Sequence, residues 1–323
     1  MLISKRADIK GAVYAGTSPY LEFDKFFPSI PESLPPQTRA EIATNLQRCL
    51  QPCNIHPANI ASLQTLAFFA QTIILARHAL TAGSHVVIDP QGYAEDCLHV
   101  EYRLIKYPQA LRSDVAESDK AFTELAAATG QNADGSVKDG SVTAETSANS
   151  SGRPAPNLLN ALVRVAAILY IEDLLPDVRS IDLYGILLSV LTHQIRNIII
   201  AIRQRSVDPQ LGSAAVPSAA TAVADSLPGV DISRPVLIWT CLIGHAITSF
   251  ILQNRPSIIL DRSAFEDCVA LVLSESGGLR AGDMALCEVL PIRELRAVSC
   301  DESTLLRQII AGYEAKQVWN PSG

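Results

Sequence analysis

The chain has 323 residues, of which 48% are apolar and only 18% are charged. This composition argues against a disordered protein and indicates a large buried core, in one large domain or two modest ones. The net charge is −7 and the basic residues are scattered, which argues against binding nucleic acid through a basic face. The first residues lack the apolar stretch of a secretory signal peptide, so we expect the seven cysteines to be reduced thiols.

Residues 1–36 carry few helix signals, and residues 20–36 include four prolines. Because proline interrupts a regular helix, we predict an extended N-terminal arm here. Two roles remain open for it. The arm packs Phe23, Phe26 and Phe27 onto the main body, or it is a short docking motif for a partner.

Long apolar runs with helical spacing follow this arm, and strand-type alternation is hard to find. We therefore predict an all-α multi-helix bundle in one domain, residues 37–323. Two disordered loop insertions are expected at about 130–156 and 206–233, where large apolar side chains are scarce. The predicted helices cover residues 37–50, 57–80, 93–107, 113–129, 158–175, 181–205, 234–252, 261–274 and 304–318.

Several helix ends are signalled by single residues. Gly83 is predicted to stop the helix of residues 57–80, and Gly277 and Gly278 to end the helix of residues 261–274. Asp261 is predicted to cap the start of that last helix, because an aspartate oxygen accepts the free N–H groups of a first turn.

Residues 234–252 are apolar or small almost throughout, and Pro235 stands where a helix begins. A helix that is apolar all round is surrounded by lipid or by other helices. His245 lies in mid-segment, and the flanks carry no aromatic belt and no one-sided excess of basic residues. We therefore predict a central helix walled by its neighbours rather than a membrane span.

The common phosphate-loop, dinucleotide, nucleophile-elbow and zinc-protease motifs are absent from the sequence. The residue types of a zinc site occur at Cys49, Cys53, His56, Cys97 and His99. Their spacing sets no tetrahedral geometry, so isolated core or surface residues are expected instead. No catalytic, cofactor-binding or metal-binding residue is predicted.

His193 and His245 lie in the two most apolar late helices. A catalytic histidine needs a nucleophile or a carboxylate within reach, and the sequence offers Asp182 or Glu172. Hydrogen-bonded core histidines are the expected reading. A histidine that meets a carboxylate in a solvent-reachable pocket would instead indicate an α-helical enzyme acting on a hydrophobic small molecule.

Other polar residues and thiols have simpler expectations. Asp173 and Arg179 are predicted to form a solvated helix corner, and Glu294 to lie on an exposed face. Cys241 and Cys268 stand in apolar helical surroundings and are predicted to be inert thiols rather than nucleophiles.

Three helices of the second half resemble the fungal-specific transcription factor domain, the regulatory region of zinc binuclear cluster regulators. The segment ALVRVAAILYIEDLLPD, residues 161–177, is similar to an Ala/Leu-rich helix of that domain with an Ile-Leu-Tyr-Ile core. The segment HQIRNIIIAIRQR, residues 193–205, resembles the helix that follows. The segment RPVLIWTCLIGHAITSF, residues 234–250, is similar to its apolar helix. Order and spacing agree over roughly residues 155–275.

The chain departs from that family in two respects. It has no N-terminal cluster of six cysteines that binds two zinc ions and reads DNA, and the aromatic-rich stretch expected after residues 234–252 is thin, with Phe265 alone and Trp319 late. The resemblance therefore implies a nuclear, non-enzymatic regulatory domain without its own DNA-reading module. Such a domain acts through a protein partner, another regulator or a second copy in a dimer, or through a small effector. Neither a cofactor nor a membrane contact is expected. An effector site is expected first between the helix of residues 234–252 and the stretch 186–202.

Overall fold

The computed structural model describes residues 2–15, 19–21, 34–50, 55, 57–83, 90–106, 158–174, 181–207, 233–255, 260–275, 277–280, 282–295, 297–298 and 300–319. Within these ranges the chain forms ten α-helices and one 3-10 turn, Ile292–Glu294, and no strand. The all-α prediction is therefore confirmed. The helices are α1 (Leu2–Ala15), α2 (Pro36–Leu50), α3 (Pro57–Thr81), α4 (Pro90–Lys106), α5 (Leu158–Leu174), α6 (Ile181–Val207), α7 (Arg234–Asn254), α8 (Ser263–Glu275), α9 (Ala285–Val289) and α10 (Glu302–Trp319).

The predicted helix-stop and helix-start residues act as expected. Gly83, Gly277 and Gly278 have φ angles of 77°, 71° and 121°, a backbone region that glycine adopts without steric cost. α7 begins with Pro235 in its first turn. The Oδ1 atom of Asp261 accepts the backbone N–H of Ser263 at 2.8 Å, which makes Asp261 the cap of α8.

The extended arm predicted for residues 1–36 is wrong for residues 2–15, which form α1. No proline lies within this stretch, and Ile9, Ala12 and Val13 place an apolar stripe against the bundle at helical spacing. The Asp8 carboxylate of α1 accepts the backbone N–H groups of Tyr20 and Leu21 at 3.0 and 2.7 Å.

Several predictions concern segments outside the described residues. These are the arm phenylalanines, the helix at 113–129, the loop at 130–156 and nearly all of the loop at 206–233. Conversely, the sequence reading missed two short elements after α8, namely α9 and the 3-10 turn. Both are too short for a periodic pattern to be visible in the sequence.

Two helices form the interior of the bundle. Every side chain described in α5, from Leu159 to Leu174, is buried, and so is every residue of α7 from Arg234 to Thr248. α5 packs on α7, and α6 contacts both of them. On the side of α5 lie α3 and α4, whereas α8, α9 and α10 cover α7. The prediction that α7 is walled by other helices is confirmed in this fold.

Three helices, α3, α6 and α7, are long and apolar enough to cross a membrane, judged by length and composition alone. In the bundle, 61% of the most apolar stretch of α3 is buried, compared with 56% for α6 and 83% for α7. The most apolar of the three, α7, is thus the one that neighbouring helices cover most completely.

A buried aromatic pair binds the backbone of Leu290 and Pro291, the residues that follow α9. The rings of Tyr170 in α5 and Trp239 in α7 lie with their centroids 5.9 Å apart. The Tyr170 hydroxyl donates to the Pro291 carbonyl at 3.2 Å, and Trp239 Nε1 donates to the Leu290 carbonyl at 3.0 Å. Both polar tips are therefore satisfied inside an apolar core, as buried Tyr and Trp require.

α7 and α8 lie so close together at Gly244 that adding one methyl group there is predicted to lower the stability of the fold. A Cβ atom on Gly244 would lie 2.4–2.8 Å from three ring atoms of Phe265, which is fully buried. We expect Gly244→Ala to lower the free energy of unfolding by about 1–3 kcal/mol through overpacking. Urea denaturation followed by circular dichroism measures this.

Gly185 in α6 is the matched control, because a Cβ there meets nothing within 4 Å. Gly185→Ala should leave the free energy of unfolding unchanged or raise it by up to about 1 kcal/mol, since alanine favours helix. Equal destabilisation by the two substitutions would contradict the described α7–α8 contact.

Candidate functional site

The polar side chains buried in the bundle are the places where chemistry or binding could occur, because burial of a polar group is costly without a partner. Four groups are described below. They lie at the start of α7, at its middle, beneath α1, and on α6.

At the start of α7, Arg234 is almost completely buried and forms a two-pronged ion pair with Asp283. Its Nε and Nη2 atoms donate to the two Asp283 oxygens at 2.9 and 2.6 Å. Nη1 donates to the Val272 carbonyl at 2.6 Å, and Nη2 also reaches the Gly278 carbonyl at 3.3 Å. Every guanidinium nitrogen has a partner, so this group fixes the end of α8 to α7 and leaves no position for a ligand.

At the middle of α7, His245 meets a carboxylate from α8. Its Nε2 atom lies 3.5 Å from Glu266 Oε1, and Arg262 Nε lies 3.2 Å from the same oxygen. Exposure falls from 52% for the Arg262 side chain to 8% for His245 and 2% for Glu266. Ser249, one turn after His245, has a buried Oγ atom. Neither this atom nor His245 Nδ1 has a hydrogen-bond partner among the described residues.

The two histidines singled out in the sequence are not brought together. His193 is exposed on α6, where its Nε2 atom lies 3.2 Å from the Asn197 amide one turn later. His245 is the core histidine that was predicted, but its carboxylate is Glu266 and not Glu172. The side chain of Asp182 lies outside the described ones.

Beneath α1, two carboxyls from different helices face each other. Glu101 of α4 and Glu172 of α5 are 1% and 2% exposed. Burial, and next the neighbouring Glu172 carboxyl, raise the pKa of Glu101 well above the ordinary glutamate range, while Arg6 and Lys10 of α1 act in the opposite direction. Lys10 Nζ lies 4.0 Å from Glu172 Oε2.

Hydrogen bonding within this group is incomplete. Neither Glu101 oxygen has a hydrogen-bond partner of normal geometry among the described residues, and the same is true of Nε and Nη2 of Arg6. The Glu101 and Glu172 carboxyls act on each other's charge, and a contact between them outside normal hydrogen-bond geometry also raises the Glu101 pKa. A proton on Glu101 removes the repulsion that two ionised carboxylates would feel there.

On α6, the face expected to hold an effector is packed rather than open. Leu187, Leu191, Ile195 and Ile198 are all at most 1% exposed. Gln194 interrupts this apolar stripe, is fully buried, and has no hydrogen-bond partner for either amide atom among the described residues. Gln194 is therefore a buried polar side chain within the face where an effector was expected.

The solvated corner predicted at Asp173 and Arg179 is wrong for Asp173, which is fully buried. Its Oδ2 atom accepts the backbone N–H of Ala297 at 2.8 Å, so the carboxylate anchors a loop 124 residues further along the chain. Arg179 lies outside the described residues. Glu294 is more buried than predicted, at 15% side-chain exposure, because it pairs with Arg77 at 2.8 Å.

The cysteines behave as core residues. Cys241 and Cys268 are fully buried neighbours, and burial, followed by the Cys268 side chain, raises the pKa of the Cys241 thiol. A thiol with a raised pKa carries little thiolate, so Cys241 fits the prediction of an inert thiol, and reactivity of Cys268 stays a prediction.

The candidate zinc residues are not assembled by the described part of the chain. Cys49 of α2 lies near Cys287 of α9, whereas Cys97 of α4 lies near Glu101 and Arg6. Cys53 and His56 are outside the described residues. Within the described ranges no three His, Cys, Asp or Glu side chains are grouped so that they could hold a metal ion.

Sequence reasoning missed the Glu101–Glu172 and His245–Glu266 contacts for the same reason. Each joins residues on different helices, and nothing in the spacing along the chain indicates which carboxylates meet. One signal was available: an acidic residue at a position whose neighbours in the helical stripe are apolar, such as Glu101 between Leu98 and Ile105, is a candidate for burial.

Comparison with known proteins gives no match. No family model matches the chain, no curated protein is similar to it, and no solved structure resembles it. The likeness to the fungal-specific transcription factor domain therefore stays a prediction from the sequence.

The Arg234–Asp283 pair predicts a large loss of stability when its charge balance is broken. Asp283→Asn leaves the guanidinium of Arg234 buried without a counter-charge, so we expect a loss of about 3–5 kcal/mol in the free energy of unfolding. Arg77→Gln is the control, because Arg77 is 41% exposed in its pair with Glu294.

Arg77→Gln should lower the free energy of unfolding by at most about 1 kcal/mol. Denaturant titration of both variants gives the two values. If Asp283→Asn lowered the free energy of unfolding by less than Arg77→Gln does, the described ion pair would not hold the start of α7.

Proposed function

We propose that this chain is a helical regulatory domain related to the regulatory region of fungal zinc-cluster transcription factors. It acts in the nucleus through a protein partner, which is another regulator or a second copy, or through a small effector. It has no DNA-reading module of its own. The observation that supports this proposal is that the three helices containing the segments that carry the resemblance, α5, α6 and α7, pack on one another in the fold.

The buried polar contacts of the interior are also consistent with a regulatory domain of fixed shape. The buried polar side chains of Arg234, Asp283 and Asp173 are used to join helices and loops to one another. Such contacts specify one arrangement of the helices, and a bundle of fixed shape presents its surface to partners in a defined way. The acidic balance of the chain is consistent with a protein partner rather than with DNA as the ligand.

A second candidate is an α-helical enzyme that acts on a hydrophobic small molecule. The observation in its favour is that His245 contacts Glu266 and that Ser249 stands one helical turn after His245. These are the residue types of a base, an orienting carboxylate and a nucleophile. Two features make the enzyme less well supported than the regulatory domain. No hydrogen bond joins Ser249 to His245, and both the serine Oγ and the histidine Nδ1 are shielded from solvent.

An active-site-directed fluorophosphonate probe tests the second candidate directly, because it labels only an activated serine. Mass-spectrometric mapping of the label to Ser249 in the wild type, with loss of labelling in His245→Gln, would favour the enzyme. An unlabelled Ser249 in folded protein would count against it.

The regulatory proposal predicts two results for the purified chain. Gel-shift titration with a pool of duplex DNA should give no sequence-specific complex. Fusion of the chain to an unrelated DNA-binding domain should change the output of a reporter gene, because recruitment of a partner or effector then occurs at the promoter.

The Gly185→Ala fusion should retain this reporter effect, whereas the Asp283→Asn fusion should lose it together with the fold. Tight sequence-specific DNA binding by the chain alone would contradict the proposal. So would a wild-type fusion that is expressed and folded but leaves reporter output at the level of the DNA-binding domain.

A further inference from the structure

α3 carries no charged residue from position 57 to position 76, although one side of it faces away from the bundle. Surface helices ordinarily place charged residues on that side. On α3 the outward side is formed by six uncharged residues that alternate in spacing between four and three positions and are partly or largely exposed: Ala61, Thr65, Phe68, Thr72, Leu75 and Ala79. We call these six residues the outer α3 stripe. Such spacing keeps all six on one face of the helix.

Contacts on the two flanks of α3 fix the direction of this stripe. The Phe69 ring lies beside Tyr93 of α4 with the ring centroids 5.1 Å apart, and Gln71 Nε2 donates to the carbonyl of Val289 in α9 at 3.3 Å. Phe69 and Gln71 are separated by about 200° around the helix, so they hold opposite flanks. The outer α3 stripe lies between these flanks, on the side away from the bundle.

The two threonines of the stripe have their hydroxyl groups bonded within the helix. Thr65 Oγ1 donates to the Ala61 carbonyl and Thr72 Oγ1 donates to the Phe68 carbonyl, each at 2.9 Å. Covering these threonines with protein therefore leaves no hydroxyl donor without a partner. Leu75, the large aliphatic side chain of the stripe, is 49% exposed and gains most from being covered.

We propose that the outer α3 stripe is a dimer interface, on which α3 of a second copy of this chain packs antiparallel about a two-fold axis. The inference selects the second copy among the partners of the proposed function, and to that extent it rests on that function. Association of two copies is measured without any reporter gene, so the failure of one proposal is distinguishable from the failure of the other.

The order of large and small side chains along the stripe favours its own copy as the partner. In a two-fold interface the same surface meets itself, so each large side chain has to face a small one. An antiparallel pair with its axis level with residue 70 meets this condition in every layer. The facing pairs are Phe68 with the partner's Thr72, Leu75 with the partner's Thr65, and Ala61 with the partner's Ala79.

The lack of charge on the stripe also favours a second copy over other occupants. An uncharged face meets its own copy without like-charge repulsion, whereas an acidic or basic peptide would find no counter-charge there. A lipid surface is the other apolar occupant, because α3 is long and apolar enough to cross a membrane. Helices that bind lipid surfaces carry Lys or Arg beside their apolar face, and α3 has neither between positions 57 and 76.

Sedimentation velocity of the full chain between about 1 and 100 μM measures the association, and a dissociation constant within this range is expected for an interface of one helix pair. Leu75→Glu should raise the dissociation constant at least about tenfold, because it places a buried charge in two layers of the dimer. Leu80→Glu is the matched control. Leu80 is 55% exposed on the same helix but lies off the stripe, so its substitution should change the constant less than about twofold.

Disulfide trapping tests the antiparallel register. A mixture of Thr65→Cys and Leu75→Cys proteins should form a cross-link between residues 65 and 75 of different copies, identified by mass spectrometry of the joined peptides. Neither variant alone should form a cross-link at its new cysteine. Two copies of residue 65 would lie about 15 Å apart along the antiparallel pair, beyond the span of about 7 Å between the Cα atoms of a disulfide.

Four results would overturn the proposal. The first is a wild-type chain that stays monomeric up to about 100 μM. The second is an equal effect of Leu75→Glu and Leu80→Glu on association, with both variants folded by circular dichroism. The third is cross-linking in the single variants, which would show a parallel pair. The fourth is flotation of the chain with vesicles of equal parts phosphatidylcholine and phosphatidylserine, abolished by Leu75→Glu, which would make lipid the occupant.

Discussion

Burial of α7 is the constraint on which the other elements depend. A helix with apolar side chains on all sides has no face for water, so a complete wall of protein has to form around it. α5, α6, α8, α9 and α10 supply that wall. Gly244 lets the Phe265 ring of α8 approach the α7 backbone closely, and Trp239 reaches the carbonyl of Leu290 behind α9. The positions of these outer helices are thus set by the surface of α7 that each must cover.

Helix positions could be predicted from the sequence because helix ends have local causes. Pro235, Gly83 and Asp261 act within one turn of themselves, so the start of α7, the end of α3 and the cap of α8 are visible in a short window. The extended arm failed for the opposite reason: the prolines after residue 27 were taken to describe residues 2–15 as well. α1 is short and its apolar residues are spread around the helix, so the stretch gives a weak periodic signal.

The polar contacts could not be predicted, because they are properties of the packed bundle. Asp173 was assigned to an exposed corner from its neighbours Pro176 and Arg179, yet its partner is the backbone of Ala297. His245 was correctly placed in the core, but the identity of its carboxylate depends on the register of α8 against α7. Sequence periodicity predicts which side of a helix is buried. It does not predict which residue of another helix a buried side chain contacts.

The buried charged groups differ in how completely their polar atoms are hydrogen-bonded. Arg234 uses every guanidinium nitrogen, with both Asp283 oxygens and two carbonyls as acceptors. Movement there would break several charge-assisted bonds in a water-excluded site, which is a large penalty. Glu101 has no such set of bonds, because neither of its oxygens has a hydrogen-bond partner of normal geometry among the described residues.

α7 shows the same contrast within one helix. Its start is fully bonded through Arg234 and Asp283, whereas Thr240 Oγ1 and His245 Nδ1 have no hydrogen-bond partner among the described residues. Because a buried polar atom without a partner costs free energy, the apolar contacts around the middle of α7 have to offset that cost as well as exclude water.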